Sequence, residues 1–461
     1  MSQHDSITTT ELDRINQSSN QSTHLSPYNT TSRPSSFQDN NAINSAEGAG
    51  SFSINSEKKV TLRSERSLRR TLPPNNDPIL DSVHGGRPQP LSVLGCLKAV
   101  LFATKLNVLL VFVPLGIIAA KLHWSKVAIF ILNFIAIIPL AKLLTYTTEE
   151  TALRLGEIPG AILNGFFANA VELIIAIIAL KENEIDVVQA AVLGSVLSNL
   201  LLVLGLCFVF GGYKYASQTF NQTAAQTSAS LLSLSCLSLL IPAAFHATAT
   251  EIDQTSNIRN LSYGTSIVLL AVYVLYLVFQ LKTHNHLYSV TCEEEEEPIL
   301  PLWLSVMLLI VITVLVVVCA DYMMGSMDGL TAHLSPTFIG LILLPIVSNA
   351  AEHYTAISVA MKNKMDLAIG VAVGSSMQVA LFITPLLVIL GWIIDRPMTL
   401  FFNTFETCVL FVSVLIVNYL IQDGESNWLE GAMLLSTYLI VAVAVYFYPA
   451  AAIATPQTPH R

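Results

Sequence analysis

From about residue 91 the chain alternates long apolar runs with short polar breaks. The runs predict helices at 105–121, 126–144, 158–180, 185–210, 228–246, 258–282, 299–320, 335–361, 366–391, 399–421 and 428–448. Each is near the roughly 20 residues that cross a bilayer, so the pattern predicts about eleven spans. The segment "LSVLGCLKAVLFAT" (91–104) is expected to lie along the interface ahead of the first span. Residues 1–90 are rich in Ser, Thr, Asn and Gln and lack a run that could bury a core, so a disordered tail is expected there.

Polar residues inside the runs recur with a fixed offset. Asn169-Ala170-x-Glu172 in the third run reappears as Asn349-Ala350-x-Glu352 in the eighth, 180 residues later. Held without gaps from 158 to 200, that offset matches 12 of 43 positions, among them Gly160/Gly340, Asn183/Asn363, Asp186/Asp366, Gly194/Gly374 and Ser195/Ser375. Matches at polar and Gly positions are not explained by shared hydrophobicity, so an internal repeat is expected. Helices 2–6 and 7–11 form its halves. Five spans per half insert the second upside down relative to the first, the inverted-repeat plan of secondary transporters with a site at the midplane. The expected organisation is an all-α polytopic membrane protein. It has a cytosolic tail (1–90), a first helix with its interfacial segment (91–122) and a first repeat (123–283). An acidic cytosolic linker (284–298), a second repeat (299–450) and a C-terminal tail (451–461) follow.

Composition narrows the function classes. The chain of 461 residues is 53% hydrophobic and 12% charged, with a mean hydropathy of +0.59. Soluble proteins carry about 25% charged residues, so a soluble domain is excluded. The net charge of −9 gives no case for a nucleic-acid partner. Cys96, Cys207, Cys236, Cys292, Cys319 and Cys408 are scattered without CxxC or Cys/His pairing, which predicts buried thiols rather than a disulfide framework. Neither a GxxxxGK[ST] loop nor an HExxH motif is present, which disfavours an ATP-driven pump and an intramembrane metalloprotease.

The candidate chemistry lies in the paired helices. A Glu near a bilayer centre costs roughly 2.5–3.5 kcal/mol on insertion scales, so Glu172 and Glu352 need a compensating partner. Asn169 and Glu172 are three apart and share a helix face, as do Asn349 and Glu352. The next helix of each half adds Ser195, Ser198 and Asn199, or Ser375 and Gln378. Carboxylate, amide and hydroxyl oxygens suit a hard divalent cation, whereas soft metals prefer thiolate and imidazole. Two glutamates balance one Ca²⁺ in charge. Protons and the cation compete for the same oxygens, and antiport follows if the gates move only when the site is loaded. A break in these helices is expected, because carbonyls freed there can coordinate ions. Pro159, Pro345 and Pro385 are candidate places for it. Asp186 and Asp366, at the start of the following helices, are expected N-caps.

"NAVELIIAIIALKENEIDVVQAAVLGSVLSNLLLVLG" and "SNAAEHYTAISVAMKNKMDLAIGVAVGSSMQVALFITPLLVILGW" resemble the two alpha repeats of calcium/proton exchangers of the CAX type, in the cation/calcium antiporter superfamily. The resemblance covers roughly 92–448. Glu352-His353 and "GSSMQ" are closer to this branch than to sodium/calcium exchangers. It implies that Glu172 and Glu352 bind Ca²⁺ and exchange it for H⁺, and that Asn169, Asn349, Ser195, Ser375 and Gln378 line the site. Many members carry Gly before the Asn, where this chain has Ala168 and Ser348. Fungal vacuolar members set the expected location, a vacuolar or other acidic-organelle membrane. Protons leaving such a lumen supply about 1.4 kcal/mol per proton and pH unit.

Sodium-coupled exchange, Mn²⁺/H⁺ exchange at the same site and a channel remain open alternatives. No resident cofactor is expected; Ca²⁺ and H⁺ are cargo, with Mn²⁺ as the alternative cation, and membrane lipid is the surrounding partner. His353, about 100° round the helix from Glu352, is a candidate proton carrier, since an unperturbed His titrates near about pH 6.5. Glu293, Glu294, Glu295, Glu296 and Glu297 are a candidate regulatory segment or a solvated, self-repelling loop. Glu149, Glu150 and Glu157 either funnel cations or mark the membrane edge. Basic residues in "KKVTLRSERSLRR" (58–70) place the N-terminus in the cytosol and leave room for a kinase or other regulator acting on the tail. Homo-oligomerisation is left open.

Overall fold

The computed structural model describes residues 93–102, 105–248, 254–284, 287 and 298–448. The N-terminal tail, the C-terminal tail and the run Glu293–Glu297 lie outside the described residues.

Helices dominate. α1 (Val93–Phe102) precedes a 3₁₀ turn (Lys105–Val111) that runs into α2 (Phe112–Lys121). Then follow α3 (Lys126–Leu155), α4 (Glu157–Phe167), α5 (Ala170–Lys181), α6 (Ile185–Leu197), α7 (Leu204–Lys214), α8 (Gln222–Thr248) and α9 (Gln254–Val278). The second half holds α10 (Leu302–Met324), α11 (Asp328–Thr331), α12 (Pro336–Phe338), α13 (Leu344–Ser348) and α14 (Ala350–Ala360). It ends with α15 (Met365–Gln378), α16 (Thr384–Ile393), α17 (Thr404–Leu420) and α18 (Trp428–Phe447). A two-residue antiparallel pair, Gln218–Thr219 with Glu425–Ser426, clasps two loops.

Among the described residues, seven helices are long and apolar enough to cross a membrane, or eight if the bent pair α4–α5 counts as one. Leu106–Lys121, Pro336–Ser348 and Thr404–Leu420 are apolar but shorter. Three of the eleven expected runs thus hold helices below that length, and at 335–361 the cause is local. That run is not one helix: Asn349 interrupts it, leaving two short pieces. The run 158–180 is likewise broken, with a 46° bend between its parts.

The breaks fall at the asparagines, away from the prolines. Asn169 (φ −106°, ψ 24°) and Asn349 (φ −95°, ψ 3°) both leave helical geometry for the sparsely allowed bridge region. Pro345 and Pro385 instead follow π-helical turns at Ile339–Leu343 and Val379–Ile383. A proline ring pushes on the carbonyl four residues back, and a widened turn relieves that clash. The first half has the same widened turn at Ser198–Val203 with Gly205, not Pro, behind it, so proline is not what requires it.

The offset of 180 recurs in the backbone as well. Asn183 (φ 65°) and Asn363 (φ 60°) both close the preceding helix in the left-handed conformation that Asn tolerates. Glu184 and Lys364 then occupy the N-cap positions without side-chain caps, and Asp186 and Asp366 fall in the first turn. The expected N-cap role of the two aspartates is therefore corrected: the Asn turn starts each helix earlier. Asp366 Oδ1 instead accepts the backbone N–H of Asn221.

Chain alternation and hydrogen bonds define two faces. On one, Glu150 Oε2 accepts the N–H groups of Ile299 and Leu300, both at 2.9 Å, and Arg154 donates to the Pro298 and Leu300 carbonyls. Lys214 and Gln218 reach Met361 and Ala360 there. We call this the linker face. On the opposite face, Lys126 pairs with Asp328 and Arg396 donates to the Lys181 carbonyl. Between them, α3 packs along α10, α7 along α18 and α8 along α17. Cys207, Cys236 and Cys319 are buried free thiols; Cys96 is buried and Cys408 is exposed.

Candidate functional site

Each Asn break begins a helix, so Glu172 and Glu352 stand in the first turns of α5 and α14. An acidic group is favoured at that end of a helix. The supporting helices are held close. A Cβ on Gly194 would lie 2.2 Å from the Leu341 carbonyl oxygen, so only glycine lets α6 approach the Ile339–Leu343 turn and bring Ser195 inward.

The polar side chains bond across the halves. Asn169 Nδ2 donates to Gln378 Oε1 at 2.7 Å, and Ser375 Oγ donates to Asn169 Oδ1 at 2.9 Å. In the mirrored arrangement, Asn349 Nδ2 donates to Ser195 Oγ at 2.9 Å. Asn199 Nδ2 donates to Ser375 Oγ at 3.1 Å. Ser195 Oγ donates to Glu172 Oε1, which also receives Ser348 Oγ at 3.4 Å. Asn169, Asn199 and Asn349 are almost wholly buried, at 3%, 1% and 1% exposure, so these bonds form inside the protein.

Each of the two carboxylates keeps one buried oxygen, Glu172 Oε2 and Glu352 Oε2, with no hydrogen-bond partner among the described residues. Buried polar atoms are nearly always satisfied, so two such oxygens from opposite halves stand out as acceptors left unfilled by the described side chains. No group of three or more His, Cys, Asp or Glu suited to a metal occurs among the described residues. Further ligands would therefore come from amide, hydroxyl or backbone oxygens, which suit a hard cation.

Access is unequal. A cavity of about 340 Å³ runs from Thr148, Glu149, Asn164 and Gln280, in the linker-face half, down to Glu352 and Ser375. Glu172 instead borders a space of about 20 Å³ beside Ile175, Ala176 and Val192, toward the opposite face. That is room for about one water. Of these two cavities, the larger thus lies on the linker-face side of Glu352 and the smaller borders Glu172.

The sequence-derived candidates Glu172, Glu352, Asn169, Asn349, Ser195, Ser375, Gln378 and Asn199 meet here. His353 stands to one side, its Nε2 3.4 Å from Ser198 Oγ. Glu149 lines the vestibule while Glu150 is a structural acceptor. Sequence reasoning missed Ser348 as a partner of Glu172, having weighed it only as a small residue. It also missed Thr148, Asn164 and Gln280, whose only signal was polarity inside otherwise apolar runs.

A broken, cross-bonded pair of acidic helices in a polytopic bundle defines an ion-exchanger type of membrane protein. The family model for sodium/calcium exchanger protein matches residues 125–282 and 304–447, and the chain belongs to that family. It is 51% identical over 365 residues to a vacuolar calcium ion transporter of Schizosaccharomyces pombe, covering 78% of this chain and 89% of the relative. It is 46% identical over 363 residues to a Ca²⁺/H⁺ antiporter of Synechocystis, covering 74% and 97%. Among solved structures, the selenium-substituted Ca²⁺/H⁺ antiporter protein YfkE superposes with a TM-score of 0.64 at 34% identity, over 74% of this chain and 99% of that one.

Proposed function

We propose that the chain is a Ca²⁺/H⁺ antiporter that moves Ca²⁺ from the linker face, taken as cytosolic, into an acidic lumen such as the vacuole. The observation that carries this reading is the pair of buried, unpartnered oxygens, Glu172 Oε2 and Glu352 Oε2, supplied by opposite halves. Ca²⁺ held by both carboxylates offsets their repulsion and their burial. Two protons do the same, so the site is stable when loaded with either and unstable when empty. The cross-half Asn–Ser–Gln bonds orient the oxygens, and His353, on the same helix as Glu352, is a candidate relay for protons. The relatives named as calcium transporters and Ca²⁺/H⁺ antiporters support the choice of ions.

Alternating access belongs to the same proposal. The vestibule at Glu352 and the constriction at Glu172 form one of two states, and the repeated breaks at Asn169 and Asn349 supply matching elbows for the other. Vesicles carrying the full chain, given Ca²⁺ under an imposed pH gradient or an imposed Na⁺ gradient, test the coupling. Uptake driven by the pH gradient alone is expected. Uptake that follows only Na⁺ would replace this reading with sodium-coupled exchange, and a parallel run with Mn²⁺ ranks the cargo.

A further inference from the structure

Lys142 is a lysine in the wrong place for a cation pathway. It sits 13 residues from the end of α3 at Leu155 and 16 from its start at Lys126. At 1.5 Å per residue those are about 20 and 24 Å, too far for a lysine side chain to reach either face. The side chain is half-buried. The single ion pair among the described residues is Lys126–Asp328, so Lys142 has no carboxylate within 4.0 Å. Its ammonium instead donates to Thr355 Oγ1 at 3.1 Å. Thr355 lines the vestibule, as do Thr145, one turn along from Lys142, and Glu352, one turn before Thr355 on α14. A charged side chain this deep in an apolar helix is costly unless it faces a polar cavity.

We propose that Lys142 is a specificity-determining residue for the cation, a tethered positive charge beside the entry path to Glu352. An arriving divalent cation meets a like charge about one helical turn above its carboxylate, which weakens binding from the linker face. Lys142 thus lowers the affinity for a cation arriving from the linker face.

The inference rests on the reading of Glu352 as a cation ligand. Its test is the initial rate of Ca²⁺ uptake against Ca²⁺ concentration, in vesicles carrying the full chain under a fixed pH gradient. Lys142→Met and Lys142→Gln are each expected to lower KM by roughly three- to tenfold, as loss of one nearby like charge requires; Gln keeps a donor for Thr355. Lys142→Arg restores the wild-type KM. Thr355→Val removes the tether but keeps the charge, and its KM does not fall. An unmoved or raised KM in both neutral variants, or the same fall in Thr355→Val, would overturn the assignment while wild-type uptake stands. Absence of proton-driven uptake in the wild type would overturn the Glu352 reading and this inference together.

Discussion

At Asn169 and at Asn349 the backbone leaves the helix through nearly the same angles, and each break is followed three residues later by a glutamate. Their surroundings differ. Glu172 receives Ser195 and Ser348 and faces a space of about 20 Å³. Glu352 borders a vestibule of about 340 Å³. Two copies of one motif are therefore caught in different environments. The symmetry lies in the backbone and in the Asn–Ser exchange between halves; the asymmetry lies in what opens. Under the alternating access proposed above, matching elbows would let one conformation become the other, while the difference at any moment would decide which face is served.

Removing either carboxylate should have the largest effect. Glu172→Gln and Glu352→Gln keep size and hydrogen bonding but lose the charge that holds a divalent cation. Each is expected to abolish Ca²⁺ uptake in the vesicle assay while the protein still reaches its membrane. Retained uptake in one of them would mean that the halves are not equivalent contributors.

The glycines at 194 and 374 probe the asymmetry itself. A Cβ at Gly194 would strike the Leu341 carbonyl, whereas one at Gly374 meets nothing within 4 Å. Gly194→Ala should reduce the yield of folded protein or Tm, while Gly374→Ala should fold normally. If the halves exchange roles during transport, Gly374→Ala must still slow turnover, because its helix then takes the close approach. A Gly374→Ala variant with wild-type turnover and a destabilised Gly194→Ala would argue that the halves do not swap.

Loss of the cross-half amides is expected to matter less. Asn169→Ala leaves Gln378 and Ser375 without their shared partner, and Asn349→Ala does the same to Ser195. An unsatisfied buried polar group costs about 1–3 kcal/mol, or about five- to 150-fold in an equilibrium. Uptake efficiency should fall within that range in both variants and by similar factors. A large drop in only one would locate the cation nearer that half.

Much of this was legible in the sequence because polar residues inside apolar helices are rare enough to stand out. Asn169, Glu172, Asn349 and Glu352 announced themselves, and the offset of 180 tied them together. The exact breaks did not. Pro345 was the visible breaker, yet the chain turns at Asn349, whose amide donates to Ser195 on another helix, a contact that local sequence does not reveal. The N-caps were misassigned for a related reason. Asn183 and Asn363 adopt positive φ, and that choice starts each helix earlier than Asp186 and Asp366 alone suggest. Lys142 falls two residues from the predicted end of its run at 144, and its depth becomes visible once α3 is seen to run on to Leu155.

Adjacent residues on α3 offer the finest comparison. Glu149 is exposed and lines the vestibule, while Glu150 is buried at 6% exposure and accepts two backbone N–H groups at the start of the α10 segment. Sequence alone treats them as one acidic edge. Glu149→Gln removes a surface charge about a vestibule's length from Glu352, so screening limits the effect, and KM for Ca²⁺ should rise by roughly twofold. Glu150→Gln keeps an oxygen that can accept, so its KM should not change. It loses the extra strength of charge-assisted bonds, worth about 1 kcal/mol, which a small fall in Tm would report. Equal shifts of KM in both variants would show that the two carboxylates act together on the approaching cation, and that the anchoring of Leu300 by Glu150 is incidental to its role.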